Sequence, residues 1–130
     1  MTTMPGMKRE LTIGYDEALV KVVDALKTEG FGVLTEIDVR DTLQKKLGVE
    51  FRRYKILGAC NPPLAHRALQ AELEVGMMLP CNVVVYESDA GHAVVTAIDP
   101  MQTIATQHPG LLPIAEEVRG KLTRVLERLA

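Results

Sequence analysis

The chain has no tryptophan, only two phenylalanines and three tyrosines. That excludes a core built on stacked aromatics, so the interior has to come from Leu, Val, Ile, Ala and Met. Cysteine is equally scarce. Two cysteines are too few for a disulfide framework. The twenty residues between Cys60 and Cys81 match no common zinc spacing. Charge of one sign is also lacking. With a formal net charge of −2, no global field recruits nucleic acid or anionic lipid. No apolar run approaches the length of a membrane span. The opening MTTMPGMKRE lacks the apolar stretch of a secretory signal. A cytoplasmic protein with reduced thiols is the expectation, with no membrane partner and no nucleic-acid partner.

The 130 residues are 47% hydrophobic and 25% charged. That is ordinary for one globular domain and long enough to bury a core without metal or disulfide staples. Residues 1–6 carry Pro5 and Gly6 without a pattern and read as a flexible N-terminus, with a single domain over 7–130. The period of the apolar residues then divides the chain. Alternation over 7–13 predicts a strand. Ala18, Leu19, Val22, Val23 and Leu26 form a helical stripe over 15–29, closed by Gly30. Period two returns over 31–39, with Phe31, Val33, Thr35, Ile37 and Val39 on one face. Asp41 is the expected cap of a short helix ending at Gly48. Residues 51–60 form a third strand. Asn61 and Pro62 then read as the cap and first position of a helix that runs to about Gly76 and turns Leu64, Ala65, Ala68, Leu69 and Leu73 inward. The run at 83–86 is a buried strand, Ser88 to Gly91 a hairpin turn, and 93–98 the returning strand. Asp99-Pro100 repeats the cap-plus-proline signature, 107–110 is a loop, and Pro113 opens the last helix.

The resulting order is β-α-β-(short α)-β-α-β-β-α. It predicts an α+β fold in two layers, about five strands with helices on one face. Leu34, Tyr54 and Ile56 are then left on the other face and need cover, which predicts a homodimer.

Three segments carry a resemblance. They are Gly30-Phe31-Gly32-Val33-Leu34, Leu57-Gly58-Ala59-Cys60-Asn61-Pro62, and Leu79-Pro80-Cys81-Asn82-Val83-Val84-Val85-Tyr86 with Asp99-Pro100 downstream. Together they resemble the uncharacterised bacterial and archaeal proteins grouped as domain-of-unknown-function family 302, over nearly the whole chain from about Met7. The resemblance implies a fold of the TATA-binding-protein-like type, a curved sheet with helices packed on it, and a homodimer. It implies no activity, and likeness to a DNA-binding saddle is no warrant for DNA binding.

Candidate chemistry gathers at the two Cys-Asn pairs. Cys60 precedes a helix N-terminus, where backbone N–H groups favour a thiolate. It is the candidate catalytic residue if there is one. Gly58, Cys60, Asn61, Cys81 and Asn82 are the candidate ligand-binding residues. Gly58 in a strand interior marks a bulge or a close approach. The leading expectation is a non-catalytic domain that binds a small ligand or a partner at the junction of the third strand and the following helix. The alternative is a thiol-dependent redox or metal-binding protein or enzyme using Cys60 and Cys81. The two thiols meet only if residues 77–81 run back along the sheet. His66, His92 and His108 are the three histidines. Their spacing to the cysteines is not that of a metal site, so no metal and no cofactor are expected. Arg52 and Arg53 alternate across the sheet and make no basic stripe.

Overall fold

The hairpin signal at Ser88–Gly91 sets the centre of the fold. Gly91 adopts a φ of 82° that side-chain-bearing residues avoid. Ser88 N–H donates to His92 O at 2.8 Å, which closes the turn. The computed structural model describes residues 6–129. The strands are β1 (Gly6–Glu10), β2 (Gly32–Asp38), β3 (Tyr54–Cys60), β4 (Cys81–Glu87) and β5 (Ala93–Ile98). The helices are α1 (Tyr15–Thr28), α2 (Val39–Leu47), α3 (Pro62–Ala71) and α4 (Leu112–Glu127). Short 3₁₀ segments cover Leu73–Met78, Pro100–Gln102 and Ile104–Gln107. The element order is the expected one. The five strands form one antiparallel sheet in the order β1-β5-β4-β3-β2, so the protein is a two-layer α+β fold. The expected loose N-terminus falls outside the described residues except for Gly6, which begins β1.

The register decides which side chains form the core. Leu57 pairs with Val83, Val83 with Ala97, and Val85 with Val95. These side chains point one way and are buried against Val22 and Leu26 of α1, Leu64 and Ala68 of α3, and Ile114, Leu122 and Val125 of α4. Alanines at 18, 59, 68, 97 and 115 are buried in the same cluster. Small residues there let the layers close without large rings. The opposite face carries Tyr54 stacked on Tyr86, with ring centroids 5.6 Å apart, beside Ile56 and Val84.

Three local expectations are corrected. First, β2 does not alternate throughout. Val33 pairs with Ala59 and Thr35 with Gly58, so Leu34 is an extra, bulged residue. The bulge moves Thr35 and Ile37 to the face opposite the core. Second, α2 is capped by Asp38, which accepts Asp41 N–H at 2.9 Å, rather than by Asp41. Third, α3 stops at Ala71, because Glu72 is extended and its side chain starts the next 3₁₀ segment by accepting Glu74 N–H. Leu73 therefore points into water at 82% exposure instead of inward, and Leu69, also expected inward, is exposed on α3.

Gly58 is the close approach that its place in a strand implied. A Cβ there would collide with Thr35 Oγ1 and lie 2.7 Å from Pro80 Cγ. Gly58→Ala is expected to destabilise the fold by about 1–2 kcal/mol, as overpacking does. A urea unfolding midpoint equal to that of the unmodified chain would count against this packing.

Candidate ligand-binding site at the β3–α3 junction

β3 ends at Cys60, and the chain turns at once into α3. Asn61 makes the turn. Its Oδ1 accepts Leu64 N–H at 3.3 Å, the expected cap. Its Nδ2 also donates to Glu29 O at 3.1 Å. That second bond ties the end of α1 to the start of α3, and the cap signature alone does not announce it. Asn61 is 8% exposed, so both ends of its amide work inside the protein.

The end of α1 is itself a Schellman turn. Phe31 N–H donates to Leu26 O at 3.0 Å and Gly30 N–H to Lys27 O at 3.1 Å. Gly30 takes the required positive φ of 83°. The turn delivers Phe31 into the core next to Leu26.

The second cysteine arrives from the other direction. After the 3₁₀ segment Leu73–Met78, the chain runs back through Leu79 and Pro80 into β4. Cys81 pairs with Ala59, and Asn82 with Gly58. Residues 79–81 thus make the return that proximity of the thiols required. Cys60 and Cys81 line one cavity of about 310 Å³, together with Phe31, Leu34, Asn61, Leu64, Ala65 and, from the far end of the sequence, Ile114 and Val118.

The structure separates the five candidate residues. Cys60, Asn61 and Cys81 border the cavity. Gly58 and Asn82 pair with each other on the opposite face of the sheet. Asn82 lines a second cavity of about 280 Å³ with Met77, Ile98 and Pro100, and Cys81 borders that one too. Leu34, expected on the uncovered face, instead joins the rim of the first cavity. Its bulge is invisible in the alternation pattern. The contribution of α4 is equally hidden, because Ile114 and Val118 read only as one more core stripe.

The cavity wall is uncharged. Burial, and secondarily the neighbouring Cys60, push the Cys81 thiol up from 9.0 to about 11, so it is protonated at neutral pH. Both cysteines are free thiols. The histidines lie elsewhere. His108 Nδ1 accepts Gly110 N–H at 3.1 Å and its Nε2 faces Glu72 at 3.6 Å. Among the described residues no three His, Cys, Asp or Glu side chains converge as a metal site would need. Asp99 acts as the expected cap. Its Oδ1 accepts Met101 N–H at 2.9 Å, and its buried Oδ2 faces Arg119 Nε at 3.4 Å.

Charged pairs gather at the other end of β3. Arg53 bridges Asp16 and Glu87 at 3.0 and 2.8 Å and lies over the Tyr15 ring. Lys55 pairs with Glu36. These cations are neutralised within the protein, in keeping with the absence of a basic stripe.

Comparison with known proteins points the same way as the sequence segments. The profile of the family described as "Domain of unknown function DUF302" matches residues 7–129. The chain is also similar to a solved structure, an uncharacterized conserved protein DUF302 from Bacillus stearothermophilus. That protein is 33% identical, with 98% of this chain and 100% of that one covered and a TM-score of 0.89. No functionally curated protein matches.

Proposed function

The chain belongs to the DUF302 family of domains of unknown function, and from that premise we propose that it is a non-catalytic homodimeric domain that binds a small ligand at the β3–α3 junction. The observation that carries the proposal is the cavity bordered by Cys60, Asn61 and Cys81. Its volume of about 310 Å³ falls at the lower end of the range of small-molecule sites. Gly58 backs it from the opposite face of the sheet, where Asn82 is exposed and lines the second cavity. Gly58 leaves room for Thr35 and Pro80 to close over the strand.

The homodimer is supported by the face of the sheet that the core helices leave free. Tyr54, Ile56, Val84 and Tyr86 are half-buried there, and Ile37 is exposed beside them. Leu47 at the end of α2 is exposed, as are Val49 and Phe51 in the connection that leads into β3. A second copy is the cover we assign to this surface. The TATA-binding-protein-like curvature belongs to the same proposal, without nucleic acid. No described helix is long and apolar enough to cross a membrane. Unpaired thiols favour the cytoplasm, and neither a cofactor nor a membrane partner is assigned.

Amide chemical-shift mapping against a mixed small-fragment library tests the site. Shifts confined to Cys60, Asn61, Leu64 and Cys81 are expected. Shifts confined to the opposite sheet face, or none at all, would defeat the proposal. Sedimentation at micromolar concentration should show a dimer, and a monomer would remove that part.

A second reading, a thiol-dependent redox protein, is favoured by one observation: both thiols border the same cavity. The high proton affinity of Cys81 weighs against it, because a protonated thiol is a poor nucleophile. Modification of Cys60 at neutral pH faster than a free thiol would favour this reading.

A further inference from the structure

We infer that the cavity takes an uncharged aliphatic or alicyclic group about twice the volume of benzene, and that Leu34 closes over it at the mouth. This rests on the ligand-binding proposal above and names the class of ligand.

The wall has almost nothing to offer a polar group. Leu64, Ala65 and Ala68 of α3, Ile114 and Val118 of α4, and Leu79 present hydrocarbon. The heteroatoms at the wall are two thiols and one amide. That amide is committed, with Oδ1 to Leu64 N–H and Nδ2 to Glu29 O. An ion entering here would shed its hydration without finding a partner. An aliphatic group loses nothing and is removed from water. The volume sets the size. A dry apolar cavity of about 150 Å³ accepts benzene, and this one measures about 310 Å³.

Leu34 explains how the mouth is built. It is the extra residue of the β2 bulge, borders the cavity, and is 69% exposed. Bulges next to binding sites re-aim a side chain, and here the re-aimed side chain is a large apolar one held in water. Leu69 of α3 also borders the cavity and is also exposed. The two side chains leave water when an apolar ligand lies between them, which gives the ligand contact on its outer side as well.

A polar depression adjoins the cavity across Asn61 and Leu64, lined by Arg67 and Lys121 and also by Glu29 and Glu117, the last 3.5 Å from Arg67. It supplies the contrasting outcome, a carboxylate-headed ligand that straddles both. The test is fluorescence of the uncharged probe N-phenyl-1-naphthylamine bound to the full chain, displaced by 1-decanol, decanoate or decylammonium. We expect 1-decanol to displace the probe at a concentration at least about tenfold below that of either ion, a difference of about 1.4 kcal/mol. Ala65→Phe, which fills the cavity from a half-buried position, should abolish probe binding. Leu34→Asp changes an exposed side chain, so it should leave the melting temperature unchanged while weakening the probe about tenfold or more. Stronger displacement by decanoate, or a Leu34→Asp variant that binds like the unmodified chain, would overturn the inference. If polar fragments shift the junction amides while 1-decanol does not, the ligand class fails and the site stands. If no compound shifts them, both fail.

Discussion

Between pH 9 and pH 11 the unmodified protein should lose about 2 kcal/mol more folding stability than a Cys81→Ala variant. The thiol of Cys81 is raised from 9.0 to about 11 by burial first and by Cys60 second. Below pH 9 folded and unfolded chains both carry the proton, and the shift has no effect on stability. Above it the unfolded chain releases its proton while the folded chain keeps it, so the unfolded state gains. The loss is complete once pH passes the folded value near 11. Tyr15 titrates in an overlapping window with the same sign. Burial, then Asp38, raise it from 10.0 to about 12. Comparison with Cys81→Ala removes that contribution. Guanidinium unfolding of both proteins across this pH range gives the difference directly, and parallel curves would show that Cys81 is not buried as described.

Asn61→Ala should cost about 2–3 kcal/mol, the largest effect expected of a single substitution at the site. Two losses combine. The cap on Leu64 N–H is worth about 1 kcal/mol. Glu29 O, the other partner, is left without its donor in a part-buried place, at about 1–2 kcal/mol. Asn61→Ser separates them. A serine can cap the helix but cannot reach Glu29, so it should recover about 1 kcal/mol of the loss. Faster amide hydrogen exchange at Leu64 in the alanine variant alone would confirm the division. Equal unfolding free energies for the two variants would mean that the α1–α3 tie, not the cap, carries the whole effect.

How much of this was legible in the sequence depends on how local the cause is. The hairpin, the helix starts at Asn61 and Asp99, and the end of α1 at Gly30 are each set by a few neighbouring residues, and each stands where its signature put it. The bulge at Leu34 depends on what β3 offers as a partner, Ala59 and then Gly58 without an intervening place. Alternation along β2 alone cannot register it. The same holds for Leu73. Its spacing from Leu69 continues a stripe, but the chain leaves the helix at Glu72. At the site, Cys60 and Asn61 were readable because a strand end and a helix cap adjoin. The return that sets Cys81 beside Ala59, and the wall supplied by Phe31, Ile114 and Val118, are tertiary. The family brings a fold without an assigned reaction, so what the site can hold follows from its own geometry.

The most direct measurement is diffraction from a crystal held under xenon, which enters dry apolar cavities of sufficient size. Xenon should occupy the space bounded by Ala59, Leu64, Cys81 and Ile114, and the site should vanish in Ala65→Phe. Ordered water in that space, or xenon bound elsewhere and not there, would contradict an apolar ligand site at the β3–α3 junction.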